Sequence, residues 1–176
     1  MIIPSTRLFT AGEVETGAYL NSAVTNLGNF MLGKPIATLR QTAAQSLAVS
    51  GTAYALTFDT EDIDRDNGHS TSTNTTRYTA QTAGWYYVFG QVSITGNVTG
   101  SRTASLRVNS AALNTTQVIS AYTLNSNTWT APTSGMIYLN VGDYVELWAS
   151  QTSGGALNTF VTAPYQPFMS VIWVSS

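Results

Sequence analysis

The stretch "GWYYVFG", residues 84–90, decides how the rest of the chain is read. In a strand, successive side chains point to opposite faces. Tyr86 and Val88 then share one face, and Trp85, Tyr87 and Phe89 share the other. A sandwich strand with one face in water should alternate apolar and polar residues. This one is apolar on both sides. "FMSVIWVSS", residues 168–176, behaves the same way, with Phe168, Ile172 and Val174 on one face and Met169, Val171 and Trp173 on the other. In "DYVELWAS", residues 143–150, Val145, Leu147 and Ala149 face one way; Tyr144 and Trp148 face the other, with Glu146 between them. One face of each segment can fill the subunit's own core. On the second face, each aromatic left in water forfeits about 1.5–3 kcal/mol of burial. Either side loops and a helix cover that face, or another copy of the chain does. Tyr and Trp suit the second role, because they bury large area while keeping a polar tip. The residues assigned to such a contact are Trp85, Tyr87, Phe89, Tyr144, Trp148, Met169, Val171 and Trp173.

The surroundings of these segments point to an all-β domain. From residue 36 onward, strands are expected near 36–41, 53–59, 76–80, 84–95, 102–109, 116–123, 135–140, 143–150, 157–162 and 168–175. Turn signals separate them, among them "DNG", "TAG", "PTSG", "NVGD" and "TSGG". Short strands at this spacing read as a sandwich or jelly roll over residues 36–176. The chain has 176 residues, 43% of them hydrophobic and only 9% charged. That is enough for one core, and it is not the composition of a disordered chain. The net charge is −2, and the seven basic residues are scattered, with Lys34 the only lysine. No basic run argues for nucleic acid or an anionic membrane. There is no cysteine, which excludes disulfides and zinc–thiolate sites. The opening "MIIPSTRLFT" lacks the apolar core of a secretion signal, so export by that route is not expected.

Residues 1–35 read as an N-terminal arm and one α-helix, expected over 11–32. Thr10 and Glu13 are spaced as a capping box. Gly33, Lys34 and Pro35 form a stop, with Lys34 at the dipole's negative end. Leu20, Val24, Leu27 and Met31 follow a four-three-four spacing, a coiled-coil seam about two heptads long. Gly17 and Gly28 weaken the helix. It can lie along its own domain, or it can pack into a helical bundle or against another protein. Phe9, Leu20, Val24, Leu27, Phe30 and Met31 are the residues assigned to such an anchor.

Several segments together resemble a known family. "FDTEDIDRDNGHSTSTNTTRYTAQTAGWYYVFGQVSI", "GSRTASLRVNSA", "LNVGDYVEL" and "FMSVIWV" occur in the order found in the globular-head domain of the complement collagen-like subcomponent and tumour necrosis factor superfamily. The matching positions include Phe58, Asp66-Asn67-Gly68, Gly84-Trp85-Tyr86, and Leu139, Gly142, Asp143, Val145 and Leu147. Ser110 replaces the glycine of the family's Asn-Gly turn, and Val88 stands where a phenylalanine is usual. The version found in tailed bacteriophages and bacteria is more similar still. "FTAGEVETGAYLNSAVTN" resembles the start of phage minor tail and fibre-like proteins. The resemblance implies a ten-strand jelly roll assembled as a homotrimer. It also implies a virion component, a knob, fibre tip or capsid decoration, attached to other virion proteins through residues 1–35. The alternative is a module that binds a glycan or protein on a host cell surface, with Tyr122, Trp129 and Tyr165 as aromatics able to stack on sugars or to serve as core or interface.

The acidic stretch "FDTEDIDRDNGHS", residues 58–70, is the only place where charge gathers. Asp62, Asp64 and Asp66 alternate as calcium ligands do, but an EF-hand would put glycine at position 67, where Asn67 stands, and would need a later glutamate. Arg65 can neutralise part of the cluster. A solvated turn is the plainer reading, with those three aspartates as a weak metal candidate. His69 is the only histidine, and no nucleophile–base pair or phosphate loop is visible. No catalytic residues and no cofactor are expected.

Overall fold

The computed structural model describes residues 11–12, 16–112, 119–122 and 128–176. It begins with helix α1 (Gly17–Leu32). The strands are β1 (Ile36–Arg40), β2 (Ser46–Leu47), β3 (Ala53–Ala55), β4 (Thr60–Asp64), β5 (Arg77–Thr79), β6 (Gly84–Ile94) and β7 (Ser101–Val108). They continue with β8 (Ala111–Ala112), β9 (Ile119–Tyr122), β10 (Trp129–Leu139), β11 (Tyr144–Gln151), β12 (Leu157–Asn158) and β13 (Phe168–Ser175). One sheet runs in the order β10-β6-β13-β1-β4. The other runs β3-β11-β7-β8, with β5 also on β11 and β9 also on β7. This is a jelly-roll sandwich. The ten expected strands become thirteen described segments: β2, β4 and β8 are additional, and β2 and β8 are only two residues long.

The core lies between the sheets. Leu39, Phe58, Tyr86, Val88, Leu139, Met169 and Val171 meet Tyr78, Leu106, Val145 and Leu147, all at most 1% exposed. Gly90 lets the sheets approach: a Cβ there would sit 2.8 Å from the Leu147 side chain of the opposite sheet.

Several boundaries differ from the expected ones for identifiable reasons. The acidic stretch was expected as a turn, yet Thr60–Asp64 is the edge strand β4, paired with β1. Its charges are tolerated because an edge strand meets water. The "PTSG" turn signal falls inside β10, which also lies at a sheet edge, where a proline costs no ladder bond. The strand expected at 53–59 ends at Ala55, and the one at 157–162 ends at Asn158. Of 116–123, residues 119–122 form β9; residues 116–118 and 123 lie outside the described residues.

Helix α1 begins later than expected, and Thr10 and Glu13 lie outside the described residues. Its C-terminal end is capped from the head: Arg65 Nη1–H donates to the Leu32 carbonyl at 2.8 Å. A guanidinium there suits the negative end of the helix dipole. Lys34, expected in that role, lies over the Trp173 ring instead, 5.5 Å from its centroid. Arg65 therefore serves the helix, not the acidic cluster.

Gly100 closes the turn into β7 with φ +73°, and a Cβ there would collide with the backbone carbonyl of Thr152. Gly100→Ala is expected to lower stability by about 2–3 kcal/mol, read as an earlier denaturant midpoint with unchanged slope.

Candidate functional site: the outer faces of the sandwich

The two sheets treat their outward aromatics differently. On the β10-β6-β13 sheet, Tyr87 lies between Met136 and Ile172 in register. Tyr138 is the register partner of Trp85. The Trp85 and Tyr138 rings meet edge to face at 5.6 Å. Phe89 and Phe168 pack at 5.5 Å. The face stays open to solvent: Trp85, Tyr87, Met136, Tyr138, Ile172 and Val174 are each 40–47% exposed. Three adjacent strands thus present one continuous apolar patch, the kind that marks an interaction surface.

On the opposite sheet the outward aromatics are covered by the chain itself. The Arg77 guanidinium lies 4.4 Å from the Tyr144 ring centroid, and the Arg107 guanidinium 4.0 Å from that of Trp148. Such cation–π stacking desolvates a ring face without a neighbouring subunit. Between the two rings, Glu146 is 5% exposed. Its carboxylate accepts from Thr76 Oγ1 at 2.8 Å, Ser110 Oγ at 3.1 Å and Trp148 Nε1 at 3.0 Å. Arg77 and Arg107 both pair with Glu146 in the ladders, so one cross-strand row supplies both caps.

The residues expected at a contact therefore divide into three groups. Trp85, Tyr87 and Phe89 lie on the open patch. Tyr144 and Trp148 lie on the far side of the sandwich under their arginines. Met169, Val171 and Trp173 are core residues, 0%, 0% and 5% exposed; the outward residues of β13 are Phe168, Ile172 and Val174. With both faces of β13 apolar, its pattern carries no phase. Tertiary contacts supply one: Trp173 Nε1–H donates to the Ala83 carbonyl at 3.2 Å, and Phe30 stands edge-on to the Trp173 ring at 5.1 Å. Met136 and Tyr138 were missed. Their signal was the alternation in "GMIYL", residues 135–139, where Ile137 and Leu139 face the core.

Phe30, expected as an anchor to another protein, is only 8% exposed and docks α1 on its own head. Leu20, Val24, Leu27 and Met31 are all more than half exposed. Phe9 lies outside the described residues. Of the aromatics considered for sugar stacking, Trp129 packs against the core, Tyr165 is 54% exposed beside Phe160, and the Tyr122 side chain lies outside the described residues.

Asp62, Asp64 and Asp66 do not converge. Asp62 accepts both Nε–H and Nη2–H of Arg40 at 2.6 Å, and that guanidinium holds its carboxyl below the usual range. Asp64 accepts the Gly68 and His69 amides. Asp66 accepts the Tyr78 hydroxyl at 2.7 Å, and burial pushes its carboxyl upward. Each carboxylate already has a separate structural partner. Calcium or a chelator is therefore expected to leave the melting temperature unchanged, as scanning calorimetry would show. The His69 ring is wedged between two backbone carbonyls, with Nδ1 2.8 Å from that of Arg77 and Nε2 3.2 Å from that of Phe58. Its place is structural. Beside it lies a polar cleft of about 210 Å³ whose lining includes Asn67, Ser70, Thr73, Asn74 and Arg77.

No protein-family model matches the chain, and no curated protein matches it in sequence. Solved structures do. The globular domain of zebrafish complement 1qA protein superposes with a TM-score of 0.56 at 16% identity, covering 80% of this chain and 98% of that one. Murine APRIL at pH 5.0 gives 0.60 at 12%, covering 80% and 99%. Eiger TNF from S. frugiperda gives 0.56 at 12%, covering 82% and 94%. At these identities the likeness is one of fold: the chain carries the jelly roll of complement 1q globular heads and tumour-necrosis-factor-like domains.

Proposed function

We propose that the chain is the head of a homotrimeric structural protein of a tailed bacteriophage or phage-tail-like particle. In this reading the open patch of the β10-β6-β13 sheet is the surface through which the copies meet. One observation carries it: the chain caps the aromatics of one outer face with its own arginines and leaves those of the other bare. An obligate interface resembles a core cut in half, and this patch has that composition. The number three and the particle come from the family resemblance, the latter through the opening segment "FTAGEVETGAYLNSAVTN". Residues 1–35 attach the head to its neighbours, and the sandwich projects as a knob, fibre tip or decoration.

A second reading, recognition of a host-surface glycan or protein, is favoured by the exposed Tyr165 and by the polar cleft beside Arg77. The two roles are compatible. Immunogold labelling of particles pelleted from cells that make the chain tests the structural role. Label at fixed positions on intact particles is expected, and label confined to the soluble fraction would contradict it. A glycan array reads the second role separately.

A further inference from the structure

Helix α1 contains no charged residue in its 16 positions. At about 100° per residue, Leu20, Val24, Leu27 and Met31 form one stripe, flanked by Ala23. Asn21, Ser22, Thr25, Asn26 and Asn29 occupy the other side. The stripe is bare on the protomer, with those four residues 52–64% exposed. Phe30, which docks on Trp173, sits about 90° around the helix from the stripe. The helix can therefore stay docked on its own head while the stripe meets something else.

The place of α1 in the fold says what that is. Its last turn rests on Trp173 of β13, and the chain passes from it directly into β1, the neighbour of β13 in the sheet that bears the open patch. Ile172 and Val174, flanking Trp173, belong to that patch. The last turn of α1 thus lies beside β13, the strand that supplies Ile172 and Val174 to the patch. In the proposed trimer, the three α1 helices therefore leave their heads beside the joined patches.

We infer that Leu20, Val24, Leu27 and Met31 pack against the same residues of the two sister chains, forming a short parallel three-helix stalk on the axis of the trimer. This rests on the trimer reading of the patch. The seam does not choose the number of strands: Val24 and Met31 fall at a, and Leu20 and Leu27 at d, a pattern that with valine at a leans toward two. Two heptads are also too few to hold a bundle alone. The heads set the stoichiometry, and the helices follow. The absence of charge fits, because copies brought into parallel register around an axis place like residues side by side. The stalk occupies the seam, so attachment to other particle proteins falls to the arm and to the Asn-rich side of the helix.

The chain has no cysteine, so single cysteines report contacts cleanly. Val24→Cys and Leu27→Cys, in the full chain under mild oxidation, are each expected to give reducible dimer bands holding up to two of every three chains. Asn29→Cys, on the opposite side of the helix, is expected to stay unlinked. Light scattering on the same samples separates this inference from the reading beneath it. A trimer in which neither seam cysteine cross-links, or in which Asn29→Cys links as readily, overturns the stalk and leaves the head interface standing. A monomer overturns both.

Discussion

Tyr87→Glu is expected to convert the assembly into 18.8-kDa monomers whose heads remain folded. Tyr87 lies at the middle of the open patch, between Met136 and Ile172 on the neighbouring strands. It is 40% exposed in the protomer, so a glutamate there stays hydrated as long as the chain is alone. On association the same carboxylate must leave water, and the patch offers it apolar neighbours. An unpaired buried charge costs about 3–5 kcal/mol, enough to weaken each contact more than a hundredfold. Three such charges around one axis also repel one another. Trp148→Ala is the control. It removes a large aromatic from the opposite sheet, whose ring Arg107 already covers. Its oligomer mass is expected to be unchanged. If the control dissociates and Tyr87→Glu does not, the wrong face has been assigned.

Trp173→Ala is expected to have the reverse effect: loss of stability in the protomer before any loss of association. Trp173 is 5% exposed, donates its indole N–H to the Ala83 carbonyl, packs perpendicular to the Phe30 ring and carries Lys34 over its ring. Truncation removes core volume and leaves that carbonyl without its donor. Substitutions of this size in a core cost about 3–5 kcal/mol, which in a domain of this length lowers the melting temperature by roughly 6–20 °C. The docking site of α1 goes with it, so the near-ultraviolet signal of the remaining tryptophans and the protease resistance of residues 17–35 should change together. A melting temperature within about 3 °C of the parent would contradict the assignment of Trp173 to the core.

Trp85 and Trp173 show what could and could not be read in the sequence. Both stand in strands without a polar face, and that pattern correctly announced a sandwich with more apolar surface than one core consumes. It could not say which side of β13 was inner, because a period-two pattern has a phase only when its faces differ. Other features gave no signal in the sequence. Arg77 and Arg107 gave no local sign that they would cover Tyr144 and Trp148, since each cap reaches across strands distant in sequence. Arg102 is fully buried, donating to the carbonyls of Asn97, Thr99 and Ser101, whereas an arginine in a polar segment reads as a surface residue. The aspartates of β4 and Pro132 of β10 read as turn residues because composition does not distinguish an edge strand from a loop. By contrast, the stop of α1 and the extents of β6, β11 and β13 were legible almost to the residue, since their signals lie within the segment itself.

In the proposed trimer, the exposed side chains of Trp85, Tyr87 and Tyr138 are what self-association covers. Multi-angle light scattering of the full chain at micromolar concentration and moderate salt measures this directly. A single species of three times 18.8 kDa is the expected result; a stable species of 18.8 kDa, with those side chains left in water, would contradict it.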